Sequence, residues 1–424
     1  MNLKRSFVLF VSLLFLNLLS AEGKILAIED AVRLAKENNI SVKKAENNLD
    51  SLAVQNKYSW NSVSPAANLD GKFVDDIDDS TSLSLSGAVS LSLKTNLYSE
   101  IKGAKLNYEK GLLTYSEAVR QIELSVRKKF YNLIYQKENL VLQNRSLETS
   151  RAQYLNNEEK FKNGKISELD AFTSRVNYES KKPVVESAEI NFQNDLASFK
   201  QLLGIPQETE IALDGSLDDF LNLKEISFGL LPKVDEPAPD VKSAEYDVEI
   251  AKNSLLNLRF SAYAPVITGS YSYGKSKKSM QDDWMTTNQL SVGVSVPLDG
   301  ILPWSSSAVK IKEQKNTLDT AEKVLEDAKT TVAVQTESYI RKINQAVKQL
   351  DSLKSTEKLA EQTYKMTLAA YNYGKTDFLS LQNANDSVLG AGVNLKSQAY
   401  TLISTILDLE SVLGLEFGTL ETKK

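Results

Sequence analysis

Two hydrophobic periods alternate along this chain, and the alternation runs twice. Over about residues 25–60, Ala31, Leu34 and Ala35 share one helical face and Ala45, Leu49 and Leu52 another. This predicts a helix broken at Asn38-Asn39, with Asn39 as a left-handed cap. Ser64-Pro65 ends it. The period then shortens to two. Leu83, Leu85, Gly87, Val89, Leu91 and Leu93 alternate with Ser82, Ser84, Ser86, Ala88, Ser90 and Ser92. That pattern predicts a strand with one aliphatic face and one small polar face. A weaker strand over 66–74 precedes it, and the acidic stretch Asp75 to Asp79 reads as the tip of a hairpin. From about Leu97 the helical period returns in Ile122, Val126, Phe130 and Leu133, and no Gly or Pro falls between Leu112 and Asn163. That stretch of about 52 residues would be roughly 78 Å long as a helix, which implies coiled packing. A second helix runs from Gly164 to Leu203, with a kink expected at Pro183, which lacks an amide proton and clashes with the preceding turn.

The programme then restarts. Residues 205–238 are the least regular, punctuated by Pro206, Gly215, Gly229, Pro232 and Pro237. Pro239-Asp240-Val241 opens a helix that Ala264-Pro265 ends. A strand places Ile267, Gly269, Tyr271 and Tyr273 on one face, and the next places Leu290, Val292, Val294 and Val296 on one face. After Pro303 no Gly or Pro appears until Gly374, which gives a helix of about 70 residues and roughly 105 Å. A last helix runs over about 378–413. The two halves are an internal duplication. Adding 210 carries Tyr154 to Tyr364, Gly164 to Gly374, Leu169 to Leu379 and Leu203-Gly204 to Leu413-Gly414, without a gap.

Composition narrows the class. The chain has 50 basic and 55 acidic residues, a net charge of −5 and no long basic run, so nucleic acid is not an expected partner. It contains neither Cys nor His, which excludes disulfides, thiolate or imidazole metal sites, Cys nucleophiles and His-based triads. No cofactor or metal is expected. Lys4 and Arg5 precede an apolar run from Phe7 to Leu19, followed by Ser20-Ala21, the pattern of an export signal over 1–21. No later apolar stretch is long enough to span a bilayer as a helix, so any crossing would use strands. The alternating strands fit either a soluble sheet with its aliphatic face on a core or a barrel with that face on lipid. Two hairpins cannot close a barrel alone. Outer-membrane barrels have roughly 8 to 26 strands, and three chains giving four strands each would make twelve.

Several words in the sequence now align with one family. They are Leu26, Glu29, Asp30, Ala31, Ala35 and Asn38-Asn39 in the first helix, Pro65 and Pro265 before the strands, and Pro239-Asp240-Val241 at the second start. Gly164 and Gly374 at the turns, and Leu203-Gly204 and Leu413-Gly414 at the hairpin ends, complete the set. In their order and duplication the chain resembles the TolC-like outer membrane efflux proteins over essentially its whole mature length. The resemblance implies a mostly α, α+β fold. A long-helix α-barrel tunnel would project into the periplasm, and four β-strands per chain would complete a trimeric twelve-stranded barrel in outer-membrane lipid. The expected segments are a signal at 1–21, a first repeat at 22–204 with a hairpin at 64–95, and a connector at 205–238. A second repeat at 239–414 with a hairpin at 264–297, and a tail at 415–424, follow.

The resemblance further implies a passive exit duct for efflux or type I secretion, not an enzyme. Its partners would be two further copies, a periplasmic adaptor and an inner-membrane transporter. It places a gate latch at Asp170 and Tyr371. Thr376 stands at the family's basic latch position, with Lys375 adjacent, and Leu169 stands where a Thr partner belongs. The gate constriction, acidic in much of the family, falls on Ser380 and Asn383, which predicts weak block by cations. Gly164, Lys165, Gly374, Lys375 and Thr376 are the expected tips for adaptor contact. Asp170 also fits a capping box begun by Ser167. Tyr271, Tyr273 and Trp284 are candidates for an interfacial aromatic belt. The alternative is an exported coiled-coil scaffold or adhesin without channel activity.

Overall fold

The computed structural model describes residues 24–76, 80–221, 237–279 and 282–420. The export signal expected at 1–21, the acidic tip expected around 77–79, residues 222–236 of the expected connector and the last four residues lie outside the described residues. In chain order the elements are β1 (Lys24–Leu26), α1 (Ile28–Asn38), α2 (Ile40–Lys57), β2 (Ala66–Asp76), β3 (Ser80–Lys94), α3 (Leu97–Lys162) and α4 (Glu168–Leu203). They continue with β4 (Ile211–Leu213), α5 (Asp218–Leu221), α6 (Pro239–Tyr263), β5 (Val266–Lys277), β6 (Met285–Ser295), α7 (Ser306–Asn372) and α8 (Phe378–Leu413). The long helices α3 and α7 have 66 and 67 residues, about 100 Å each. Pro183 lies inside α4, which is assigned as one uninterrupted helix.

The chain divides into two compact units that cut across the duplication. One comprises Met1–Lys43, Ala118–Val234 and Gln335–Lys424, and the other comprises Lys44–Glu117 and Asp235–Val334. The first is held by an apolar core. Val126, Phe130, Leu133 and Ile134 of α3 and Phe199 and Leu203 of α4 meet Ile343, Ala346 and Leu350 of α7 and Leu402, Ile403 and Ile406 of α8. Leu26 and Leu213 enter this core because β1 pairs with β4 in parallel, a strand too short to leave a period in the sequence.

Around that core the ion pairs join distant elements. Arg127, nearly buried, reaches Glu29 at 3.0 Å and Glu123 at 2.8 Å, and Lys36 reaches Glu123 at 2.6 Å. Glu410 is fully buried and accepts the backbone N–H groups of Gly418 and Leu420, while Arg120 donates to the carbonyls of Glu410 and Leu415. This fixes the segment after α8 against the core.

The left-handed cap expected at Asn39 is not formed. Its φ and ψ are −64° and 130°, an extended conformation. Its side chain decides the matter: Oδ1 accepts from Ser41 N–H at 2.7 Å and Nδ2 donates to the Leu202 carbonyl at 2.7 Å. Asn39 thus caps the helix that follows it and ties α2 to the end of α4. The left-handed residue nearby is Gly204, with φ 69°. A Cβ there would lie 2.7 Å from the Asn38 carbonyl oxygen, so only Gly allows this approach.

The second unit carries the sheet, in the antiparallel order β2-β3-β5-β6. Both predicted hairpins form, and β3 pairs with β5 to join them. Its register sets the faces. Leu69, Gly87, Tyr273 and Asn288 form one cross-strand row, and Ala67, Val89, Tyr271 and Leu290 the next. Leu91, Gly269 and Val292 follow, then Leu93, Ile267 and Val294. The opposite face carries Asn68, Asp70, Lys72, Ser84, Ser86, Ser270, Ser272, Gln289 and Ser291. The apolar side chains of this sheet are exposed: Leu69 is 79% exposed, Leu290 75% and Val292 76%. Within the same unit, α6 packs on the start of α3 through polar contacts. Asn253 donates to the Ser99 carbonyl at 2.8 Å, and Ser99 and Asn96 both donate to Asn257.

Candidate functional site: the hairpin turns and their polar seam

The two turns have the same backbone. Gly164 and Gly374 are left-handed, with φ 68° and 69°. Lys165 N–H donates to the Lys160 carbonyl at 2.8 Å, and Lys375 N–H donates to the Ala370 carbonyl at 2.9 Å. Gly164 and Gly374 donate to the carbonyls of Phe161 and Tyr371. These paired bonds satisfy the last carbonyls of α3 and α7, the Schellman arrangement that selects Gly. A Cβ at either Gly would meet nothing within 4 Å. The tips are open surface, with Lys165 and Lys375 exposed and Thr376 half-buried.

The helices that leave the turns use one cap with its residues exchanged. Ser167 accepts from Asp170 N–H at 3.1 Å, and its hydroxyl donates to the Asp170 carboxylate at 2.8 Å. In the second copy the cap is Asp377, which accepts from Ser380 N–H at 2.8 Å. Ser–x–x–Asp has become Asp–x–x–Ser, and either order satisfies the first-turn amide. Hydrogen bonds from the Ser380 side chain and backbone hold the Asp377 carboxyl below the usual range. Ser380 is therefore a cap partner, exposed like Asn383 one turn on.

Tyr371 and Asp170 are brought into each other's field but are bonded elsewhere. The Tyr371 hydroxyl donates to Asn157 Oδ1 at 2.7 Å. Ionised Asp170 can only accept, and the single phenolic proton is already given to Asn157. Burial, reinforced by the Asp170 charge, pushes the Tyr371 hydroxyl above its ordinary value, so it stays a donor. Its ring lies edge-on to Phe378 at 6.0 Å and under Lys160 Nζ at 4.7 Å.

Above the turns lies a set of residues to which the sequence reading gave no role. Ser146, Ser150, Gln153 and Asn157 of α3 are buried at 4-3-4 spacing, and Ser174 and Asn177 of α4 and Asn385 of α8 are buried with them. They bond across helices. Gln382 donates to Asn177 at 3.1 Å, and Lys181 Nζ donates to Ser146 at 2.8 Å and pairs with Asp386 at 2.7 Å. The seam is under-satisfied, since the buried Asn157 Nδ2 and Gln153 Oε1 have no hydrogen-bond partner among the described residues. The coiled-coil stripe continues from Val126 and Phe130 toward the turn, but its contents change from apolar to polar. Polar residues at core-facing spacing were the available signal. Polar side chains lower the association strength of packed helices and fix register.

The remaining chemistry is sparse. Among the described residues no group of acidic side chains could hold a metal ion, and no helix is long and apolar enough to cross a membrane.

Comparison with known proteins places this geometry. Residues 230–415 match the family model described as outer membrane efflux protein. The chain is 19% identical over 306 residues to the outer membrane protein TolC of Vibrio cholerae serotype O1, covering 71% of this chain and 69% of that protein. Its fold matches the Campylobacter jejuni CmeC outer membrane channel with a TM-score of 0.78 at 17% identity, over 91% of this chain and 85% of that one. It matches VceC from Vibrio cholerae with a TM-score of 0.71 at 13% identity, over 92% and 96% of the two chains. The chain thus shares its fold over most of its length with these outer membrane channels, and its residues 230–415 match the outer membrane efflux protein family by sequence.

Proposed function

We propose that three copies of this chain close one twelve-stranded barrel in the outer membrane and that the assembly is a passive exit duct. The observation that carries this reading is the four-stranded sheet with one apolar, exposed face and two open edges, β2 and β6. Open edges and exposed backbone groups are not tolerated in lipid, so the sheet must be completed by others like it. The opposite, hydroxyl-rich face would line a wet lumen. Aromatic side chains bracket the apolar face. Tyr271, Tyr273 and Trp284 are exposed toward the hairpin tips, and Tyr58, Trp60, Tyr98, Tyr263 and Trp304 are exposed at the opposite ends of the strands, in the adjoining helix ends and connections. Two such belts are what a bilayer selects.

In this reading residues 1–21 direct export, and the repeats 22–204 and 239–414 supply the helices of a periplasmic tunnel. The turns form its mouth. The bond from Tyr371 to Asn157 holds the mouth shut, Asp170 caps the helix beside it through Ser167, and Ser380 and Asn383 line an uncharged constriction. The tips at Gly164-Lys165 and Gly374 to Thr376 receive a periplasmic adaptor, which couples the duct to an inner-membrane transporter. Opening would part the helices along the polar seam, where little apolar area is lost. The test is fractionation followed by planar-bilayer recording. A detergent-stable trimer from the outer membrane that conducts ions supports the reading. A monomer soluble in the periplasm would favour the scaffold or adhesin instead.

A further inference from the structure

The apolar face of the sheet ends in a basic pair. On β5 the positions Ile267, Gly269, Tyr271, Tyr273, Lys275 and Lys277 share that face, in this order toward the hairpin tip. Lys275 pairs with Leu85 and Thr286 on the neighbouring strands, and Lys277 pairs with Leu83, which pairs in turn with Phe73. Among the described strand residues these two are the only lysines on the apolar face, because Lys72 and Lys94 lie on the other. They stand about 7 Å apart, two residues along one strand. Lys277 is half-buried and lies 5.4 Å from the Trp284 ring. The acidic group nearest in register on this face, Asp75, accepts a hydrogen bond from Thr81 at 3.0 Å. Asp282 and Asp283 lie in the same hairpin loop, outside the strands.

Apolar rows, then tyrosines, then two lysines with a tryptophan form the sequence of environments across one leaflet. Acyl chains meet Val292 and Val294, in the rows of Gly269 and Ile267, the glycerol or sugar level meets Tyr271 and Tyr273, and an anionic group meets the lysines. We propose that Lys275 and Lys277, backed by Trp284 and Thr286, bind the phosphate headgroup of an amphiphile in the outer leaflet. This rests on the barrel reading above, which sets the hairpin tips outward. A lipid is favoured over free phosphate because the same face supplies the acyl contact.

The test uses the full-length protein in detergent, titrated with bisphosphorylated lipid A and read by native mass spectrometry. The wild type is expected to retain lipid A, with a Lys275→Gln/Lys277→Gln variant about 10- to 30-fold weaker. Lys72→Gln, on the opposite face, should bind like wild type, and inorganic phosphate should not compete. Equal binding by the double variant, equal retention of a phosphate-free lipid, or displacement by inorganic phosphate would overturn the site. Ion conduction by the same preparation separates the two ideas. A conducting trimer without lipid A preference rejects this inference alone, whereas a non-conducting, water-soluble protein rejects both.

Discussion

Lys181 and Asp386 tie the two helical hairpins together. The Lys181 ammonium lies 2.7 Å from the Asp386 carboxylate and 2.8 Å from the Ser146 hydroxyl, so one side chain holds α4, α8 and α3 at once. Lys181 is 16% exposed and Asp386 45%, which places the pair between a surface contact and a buried one. Lys181→Met removes the charge and keeps the stem. We expect it to favour the open mouth by about 1–2 kcal/mol, or roughly five- to thirtyfold in the open-to-closed ratio. Single-channel recording reads this directly, and unchanged conductance and open probability would remove the pair from the gate.

Tyr371→Phe strands the carbonyl of Asn157, a fully buried side chain whose Nδ2 already has no partner among the described residues. The expected destabilisation is about 1–3 kcal/mol. Asp170→Asn keeps the bond from Ser167 and should change stability by less than about 0.5 kcal/mol. A double-mutant cycle checks the relation between the two residues. Coupling above about 1 kcal/mol would mean that they bond directly in solution.

Acid should weaken the first unit through Glu123. Burial works against its ionisation, but hydrogen bonds from Lys36 and Arg127 outweigh it, and its carboxyl titrates below the ordinary 4.5. Its contribution is therefore complete above about pH 4.5 and is lost as pH falls through the lower folded value. Melting temperature measured between about pH 6 and 3 should fall in that window, and less steeply in Glu123→Gln. An identical slope in the variant would assign the acid sensitivity elsewhere.

The two kinds of left-handed Gly should respond differently to Ala. Gly164→Ala meets open space and carries only backbone strain, about 1–2 kcal/mol. Gly204→Ala adds a Cβ contact of 2.7 Å to the Asn38 carbonyl and should lose about 3 kcal/mol or more. Thermal unfolding of both variants checks the order, and equal losses would contradict the close approach.

The elements legible in the sequence were those with a sustained period. The hairpins show because Leu83 to Leu93 alternate over eleven residues with a uniform Ser-rich partner set. The long helices show because nothing interrupts them, and the turns show because Gly164 and Gly374 recur 210 residues apart. What escaped was set by tertiary partners. The β1–β4 pair is three residues long and exists through the chain it meets. Asn39 looks like a left-handed cap until Ser41 and Leu202 are seen to use both ends of its amide. The Tyr371 partner depends on which acceptor is nearer, Asn157 or Asp170, and both lie on helices fixed only by packing.

In the proposed trimer β2 of one copy pairs with β6 of the next. The chain contains no Cys, so an introduced pair reports without background. One Cys at Leu69 on β2, combined in turn with Cys at positions from Asn288 to Val294 on β6, should give oxidised trimers in outer-membrane fractions at one register. Migration as a monomer at every register, with the protein in the soluble fraction, would contradict a barrel closed by this pairing.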